Sequence, residues 1–226
     1  MTARGYFVSG TDTGVGKTLI SVALLHAFAA RGLRAVGMKP VAAGCEWRDG
    51  VMYWDDVEQL RAAGNVVAAQ ALVNPYRFEP AIAPHLAAAL AGVTIQLDVI
   101  AKAYIALQEQ SDIVIVEGAG GFRVPLNDRE DMADLARKLS LPVILVVGMR
   151  LGCINHALLS VEAIRHAGLP MGGWIANWID PAMGQFDATL TALQQRLNTP
   201  LLGVVPWLEK RNFPASSPNL SFEKLL

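Results

Sequence analysis

Nine residues close to the amino terminus constrain the fold more than any others: Gly10-Thr11-Asp12-Thr13-Gly14-Val15-Gly16-Lys17-Thr18. A short apolar run, Tyr6-Phe7-Val8-Ser9, precedes them. A helical pattern follows through Leu19, Ile20, Val22, Ala23, Leu24, Ala27 and Phe28 and stops at Arg31-Gly32. Strand, glycine-bearing turn and helix is the setting a phosphate-binding loop requires. Backbone N–H groups at the helix start converge on one anion, Lys17 adds a full charge, and Thr18 offers a hydroxyl to the magnesium that accompanies a nucleotide. The spacing departs from the usual G-x-x-x-x-G-K-T, whose first glycine would fall on Thr11. A Gly-rich turn bearing a solvated lysine is the alternative, and it fits the strand-to-helix context less well.

The rest of the chain repeats this alternation. Ala35–Lys39 reads as a strand stopped by Pro40, and a loop of small residues follows from Val41 to Gly50. Asp55–Ala63 reads as a short helix, Asn74–Pro80 as a Pro-punctuated loop, Pro84–Leu90 and Leu97–Gln110 as helices. Asp112–Val116 is a β-branched run of the kind buried on both faces, followed by Glu117-Gly118-Ala119-Gly120-Gly121. Helices are expected at Asp131–Leu139, Asn155–Ala167 and Ala182–Leu197, and strands at Pro142–Val147, Gly172–Ala176 and Leu201–Val205. The expected fold is α/β: one domain spanning residues 1–226, a mostly parallel sheet with helices on both faces, and an irregular tail from about residue 209.

Composition removes several classes of function. Hydrophobic residues make up 53% and charged residues 17%, which excludes a disordered chain. A net charge of −1 gives no general attraction to nucleic acid or to an anionic membrane. Two cysteines, Cys45 and Cys153, form no disulfide framework, and no signal-like or membrane-spanning run is present, so a cytoplasmic enzyme or ATPase is expected.

In such a sheet, ligands bind beyond the carboxyl ends of the strands. That rule gathers the phosphate loop, Lys39, Glu117, the turn at Gly148-Met149-Arg150, Asn177 and Pro206-Trp207 onto one edge. Glu117 follows an apolar strand where a carboxylate can meet magnesium. Spacing alone favours first-turn helix charges for Asp55 and Asp56 over a metal role. Lys39 is either a solvated strand-end lysine or a cation that stabilises developing negative charge. Gly152-Cys153-Ile154-Asn155-His156 opens a helix whose free N–H groups can hold a carboxylate, although an ordinary cap by Asn155 is the more frequent arrangement. His26, His85 and His166 read as structural, and no spacing suggests zinc.

Several separated segments together resemble the dethiobiotin synthetase family: Gly10–Thr13 with Val15–Thr18, Lys39–Ala42, Asn74–Tyr76, Val116–Gly121, Val124–Leu126, Leu151–Ala157, Trp174–Asn177 and Pro206–Leu208. The resemblance implies ATP-dependent closure of a cyclic urea on 7,8-diaminononanoate with CO2 or bicarbonate, with magnesium as cofactor. It assigns Lys17, Lys39 and Thr13 to the reacting groups, and Thr18, Asp56 and Glu117 to magnesium. ATP contacts are implied for Thr13, Gly14, Val15, Gly16, Lys17, Thr18, Asp56, Glu117, Gly118, Ala119 and Gly120, with Asn177, Trp178, Pro206, Trp207 and Leu208 around adenine. Substrate contacts are implied for Lys39, Ala43 and Gly152, Cys153, Ile154 and Asn155, the last four acting across a homodimer interface. No nucleic acid or membrane partner is implied.

Two residues depart from the family pattern. Ala43 stands where a serine hydroxyl lies near the substrate, and Gly14 stands where an acidic residue can occur. The alternative reading is a switch or partitioning ATPase with a K-G-G-x-G-K-T loop. Its signature lysine position is Asp12 here, which argues against it. A corrin-amidating relative would need a glutaminase portion that this length does not accommodate, and a non-catalytic nucleotide-binding module would not require intact Lys17, Thr18, Lys39 and Glu117.

Overall fold

The computed structural model describes residues 4–207, 220 and 225. The elements run β1 (Arg4–Gly10), α1 (Lys17–Ala29), β2 (Ala35–Met38), β3 (Val41–Ala43), β4 (Glu46–Arg48), β5 (Val51–Tyr53), α2 (Asp55–Ala63), α3 (Gln70–Val73) and β6 (Tyr76–Phe78). They continue with α4 (Pro84–Leu90), α5 (Leu97–Gln108), β7 (Ile113–Gly121), α6 (Met132–Leu139), β8 (Val143–Met149), α7 (Cys153–His166), β9 (Met171–Trp178), α8 (Phe186–Leu197) and β10 (Leu201–Val205).

Six strands form one parallel sheet in the order β10-β9-β8-β1-β7-β2. Successive side chains on a strand point to opposite faces. Here both faces are apolar. Tyr6, Val8, Ile113, Ile115, Ile144 and Val146 pack with Ile20, Leu24 and Phe28 of α1 on one side. Phe7, Val114, Val116, Leu145 and Val147 pack with residues of α5, α6, α7 and α8 on the other. This double burial explains the continuous apolar runs of the central strands. The Tyr6 hydroxyl donates to the Leu225 carbonyl, and the Leu225 side chain is buried on the α1 side. No helix among the described residues is long and apolar enough to cross a membrane.

β1 lies centrally, with β8 on one flank and β7 on the other. The chain leaves β1 for α1 and returns at the outer strand β2, so the crossover directions diverge beside β1. The crevice at its carboxyl end is where such sheets take ligands.

Five expectations are corrected. The strand carrying Glu117 does not stop at Val116. β7 continues to Gly121, with Glu117 opposite Val8 and Gly121 opposite Gly10 after a register shift. Glu117 is thus held on a paired strand rather than a loop. The small-residue loop after Pro40 contains β3 and an antiparallel hairpin, β4–β5. The Asn74–Pro80 loop contains β6, which pairs in parallel with β3 through Val41 and Tyr76. Both pairings join segments whose local composition signals only turns. α7 starts at Cys153 rather than Asn155: Gly152, at φ 90°, occupies the N-cap and no side chain caps the helix. α8 starts at Phe186 rather than Ala182, because Asp180 draws Ala182 into a side-chain-bonded turn. The tail expected to be irregular, and Leu208, lie outside the described residues apart from Leu220 and Leu225.

Candidate nucleotide and substrate site

The phosphate loop is stitched to the end of β8. Thr11 N–H donates to the Val146 carbonyl at 3.0 Å, and the Thr11 hydroxyl oxygen accepts the Gly148 N–H at 3.2 Å. The Asp12 carboxylate takes the Arg150 guanidinium at 2.6 Å and the Thr13 N–H at 2.7 Å. Further on, Asn177 at the end of β9 donates its amide to the Val15 carbonyl at 2.7 Å. Gly16, at φ 93°, caps α1. A Cβ there would stand 2.3 Å from the Asn177 amide nitrogen, so both backbone conformation and space demand glycine. No side chain caps the first turn of α1, which leaves its N–H groups directed at the crevice.

Lys17 is buried and donates to the Asp12 carbonyl at 2.9 Å. Burial, then the neighbouring Lys39 charge, pulls its pKa down to about 8, against the pull of Glu117, Asp12 and Asp56. Lys39 has the opposite balance. Burial lowers it, but the Glu117 and Asp56 carboxylates outweigh burial and hold it above the ordinary lysine range, as a permanent ammonium.

That ammonium is the centre of a compact polar network. It donates to Glu117 at 2.7 Å, pairs with Asp56 at 2.9 Å and reaches the Gly118 carbonyl at 3.3 Å. Glu117 is 1% exposed. Its Oε1 also accepts the Thr18 hydroxyl at 2.9 Å, while its Oε2 is buried with no protein partner. A buried carboxylate oxygen without a donor is costly unless a ligand completes it. Asp56, Glu117 and the Thr18 hydroxyl bring hard oxygen atoms to one cavity, the kind of donor magnesium accepts alongside phosphate oxygens. No group of three or more His, Cys, Asp or Glu suited to a metal exists among the described residues.

A cavity of about 800 Å³ opens from this network. Its polar and charged lining includes Thr13, Lys17, Thr18, Lys39, Asp55, Asp56 and Glu117, its apolar lining Val41, Ala43, Ile82, Pro84 and Val124, and Gly14, Gly16, Ala119 and Gly120 also border it. Thus one cavity gathers most of the residues expected at phosphate, metal and amines. Val15, within the loop, is buried. Trp178 stacks on Phe186 at 4.5 Å, and Trp207, after Pro206, is 40% exposed. Gly152, Cys153, Ile154 and Asn155 do not line this cavity; they form the N-cap and first turn of α7. Sequence reasoning missed the Asp12–Arg150 pair, the apolar lining from Ile82, Pro84 and Val124, and Asn74, whose amide holds the Lys39 carbonyl at 2.7 Å. Asn74–Tyr76 and Val124–Leu126 carried a signal as segments of the family resemblance, Asn74-Pro75 also as turn punctuation, and Arg150 lay in a turn placed on the same edge, but none of these gave the contacts themselves.

Residues 4–215 match the family model described as an AAA domain. The chain is 59% identical over 204 residues to the ATP-dependent dethiobiotin synthetase BioD of Nitrosospira multiformis, covering 90% of this chain and 88% of that protein. It is 58% identical over 203 residues to the ATP-dependent dethiobiotin synthetase BioD of Aromatoleum aromaticum, covering 90% of each. The chain belongs to the dethiobiotin synthetase family. Among solved structures, a ParA family ATPase from Chlorobium tepidum superposes with a TM-score of 0.56 over 92% of this chain and 86% of that one, at 13% identity. That likeness shows a shared P-loop fold. For a dethiobiotin synthetase family member, an ammonium wedged between two carboxylates beside the phosphate loop is the feature that distinguishes the site from a bare nucleotide pocket.

Proposed function

We propose that the chain is an ATP-dependent dethiobiotin synthetase that closes a cyclic urea on 7,8-diaminononanoate. One substrate amine attacks CO2 and loses a proton, giving a carbamate. A carbamate oxygen attacks the γ-phosphorus of ATP and ADP leaves. The second amine attacks the carbonyl carbon of the carbamic–phosphoric anhydride and loses a proton, phosphate leaves, and the ring closes. The observation that carries this reading is Lys39: a buried ammonium held between the Glu117 and Asp56 carboxylates, in a cavity lined by the phosphate loop and by apolar side chains. A carbamate forming beside it gains a counter-charge where negative charge develops. The same cations favour the unprotonated amine that the first step needs.

Lys17 and the open first turn of α1 hold phosphates, and Thr13 faces the reacting groups from the loop. Gly14, Val15 and Gly16 supply loop backbone, and Gly118, Ala119 and Gly120 border the phosphates. Asn177, Trp178, Pro206 and Trp207 form the adenine side, a role Leu208 shares by family resemblance. Thr18, Asp56 and Glu117 hold magnesium, which neutralises phosphate charge when bound. The hydrocarbon chain of the substrate lies along Val41, Ala43 and Ile82. Gly152, Cys153, Ile154 and Asn155 receive the carboxylate of a substrate bound in a second subunit, which makes the working form a homodimer; their position off their own cavity supports this. The enzyme is cytoplasmic and uses neither nucleic acid nor membrane. The deciding experiment is magnesium-dependent phosphate release from ATP plus bicarbonate, with and without the diamine, with the product weighed by mass spectrometry. Release that requires the diamine and yields the cyclic urea is expected. Release independent of it would replace the reading with a switch ATPase.

A further inference from the structure

Asn74 lies outside the cavity, yet it touches the residue on which the proposed chemistry turns. It is 4% exposed, immediately after α3. Its amide nitrogen donates to the Lys39 carbonyl at 2.7 Å and to the Tyr76 carbonyl at 2.9 Å. Its backbone N–H donates to Gln70 at 2.7 Å. The Lys39 N–H donates to the Val73 carbonyl at 2.8 Å, and the Tyr76 N–H donates to the Pro40 carbonyl at 3.1 Å. The corner Lys39-Pro40 is therefore bound on both sides by the segment 73–76.

The amide has one tenable orientation. Both hydrogens go to carbonyls, and a flipped side chain would set its oxygen against them. The remaining oxygen, Oδ1, is buried with no partner. Packing alone does not account for a buried amide that leaves an acceptor unsatisfied, since an apolar residue of similar size would fill the space without that cost. The two donated bonds account for it. They lock the corner from which the Lys39 side chain departs and from which β3 continues to Val41 and Ala43 of the cavity wall.

We infer that Asn74 is a positioning residue for ring closure, which holds the Lys39 ammonium in register with the phosphate loop by clamping the Lys39 and Tyr76 carbonyls. The inference rests on the reading of Lys39 as the cation beside the carbamate. A group displaced by about 1 Å loses on the order of 100-fold in rate, while the phosphate loop, anchored separately through β8 and Asn177, keeps its nucleotide.

Asn74→Ala and Asn74→Asp test this in the full chain. Aspartate keeps the shape but accepts only. Both variants are expected to bind ADP with magnesium as the parent does, by calorimetry, while kcat for diamine-dependent phosphate release falls about 10–100-fold. Aspartate should rescue nothing. Parent kcat in a folded variant overturns the inference, as does a parallel loss of nucleotide affinity and kcat, or failure of both variants to fold, since each makes Asn74 purely structural. Lys39→Ala is measured alongside. If that variant keeps ring closure, the reading of Lys39 has failed; if it is inactive while the Asn74 variants are not, only this inference has.

Discussion

Removing the Lys39 ammonium strands a buried carboxylate, and the structure sets the size of the effect. Glu117 is 1% exposed, and Lys39 is its only cationic partner within salt-bridge distance among the described residues. Lys39→Met preserves length and apolar bulk while leaving Glu117 Oε1 with the Thr18 hydroxyl alone. Breaking a buried pair from one side costs about 3–5 kcal/mol, because the orphaned charge keeps its desolvation penalty. For a chain of this size that corresponds to a Tm lower by roughly 6–20 °C. Asp56, with 29% side-chain exposure, adds little, since water replaces its partner. The assay is calorimetric or urea unfolding of the nucleotide-free protein in chelator. Two controls follow from the same physics. Glu117→Gln in the Lys39→Met background should recover much of the loss, because no buried charge remains. Millimolar magnesium with ADP should stabilise Lys39→Met by mass action at the carboxylates left without their ammonium. Ring closure should be absent in Lys39→Met at temperatures where it is folded, with ADP still bound. A Lys39→Met protein within 1 kcal/mol of the parent would refute the argument that this ion pair is desolvated and structurally necessary.

Other outcomes follow from the same geometry. Gly16→Ala forces a φ of 93° on a Cβ that meets the Asn177 amide, so about 1–3 kcal/mol of backbone strain and loss of ADP binding by calorimetry are expected. In the free protein Lys17 has a pKa of about 8, below its ordinary value; phosphates raise it on binding. ADP affinity is therefore full below that value and falls as pH rises through it, with proton uptake visible as a buffer-dependent heat; affinity constant from pH 7 to 9.5 would contradict the assignment. Asp56→Asn should raise the magnesium concentration needed for half-maximal phosphate release about tenfold, worth roughly 1.4 kcal/mol. Arg150→Ala breaks a pair that is 41% and 47% exposed, so urea unfolding should shift by no more than about 1 kcal/mol.

The phosphate loop, the doubly buried strands and the chain order that places Lys39 and Glu117 near one edge are legible in the residues alone. These are local signals: a glycine-bearing turn between a strand and a helix, and apolar runs of strand length. Tertiary structure decided what those residues do together. Lys39 and Glu117 are 78 positions apart, and nothing local says that one ammonium is shared by Glu117 and Asp56, or that Thr18 leans on the same carboxylate oxygen. Asp56 shows the limit most directly. Its spacing reads as a helix first-turn charge, which it is, and only the approach of α2 to the end of β2 turns it into a partner of Lys39. The β3–β6 pairing and the clamp by Asn74 were hidden for a related reason. Turn-forming composition specifies where a chain can bend, whereas strand pairing depends on which distant segment arrives beside it, and that is settled by packing of the whole core.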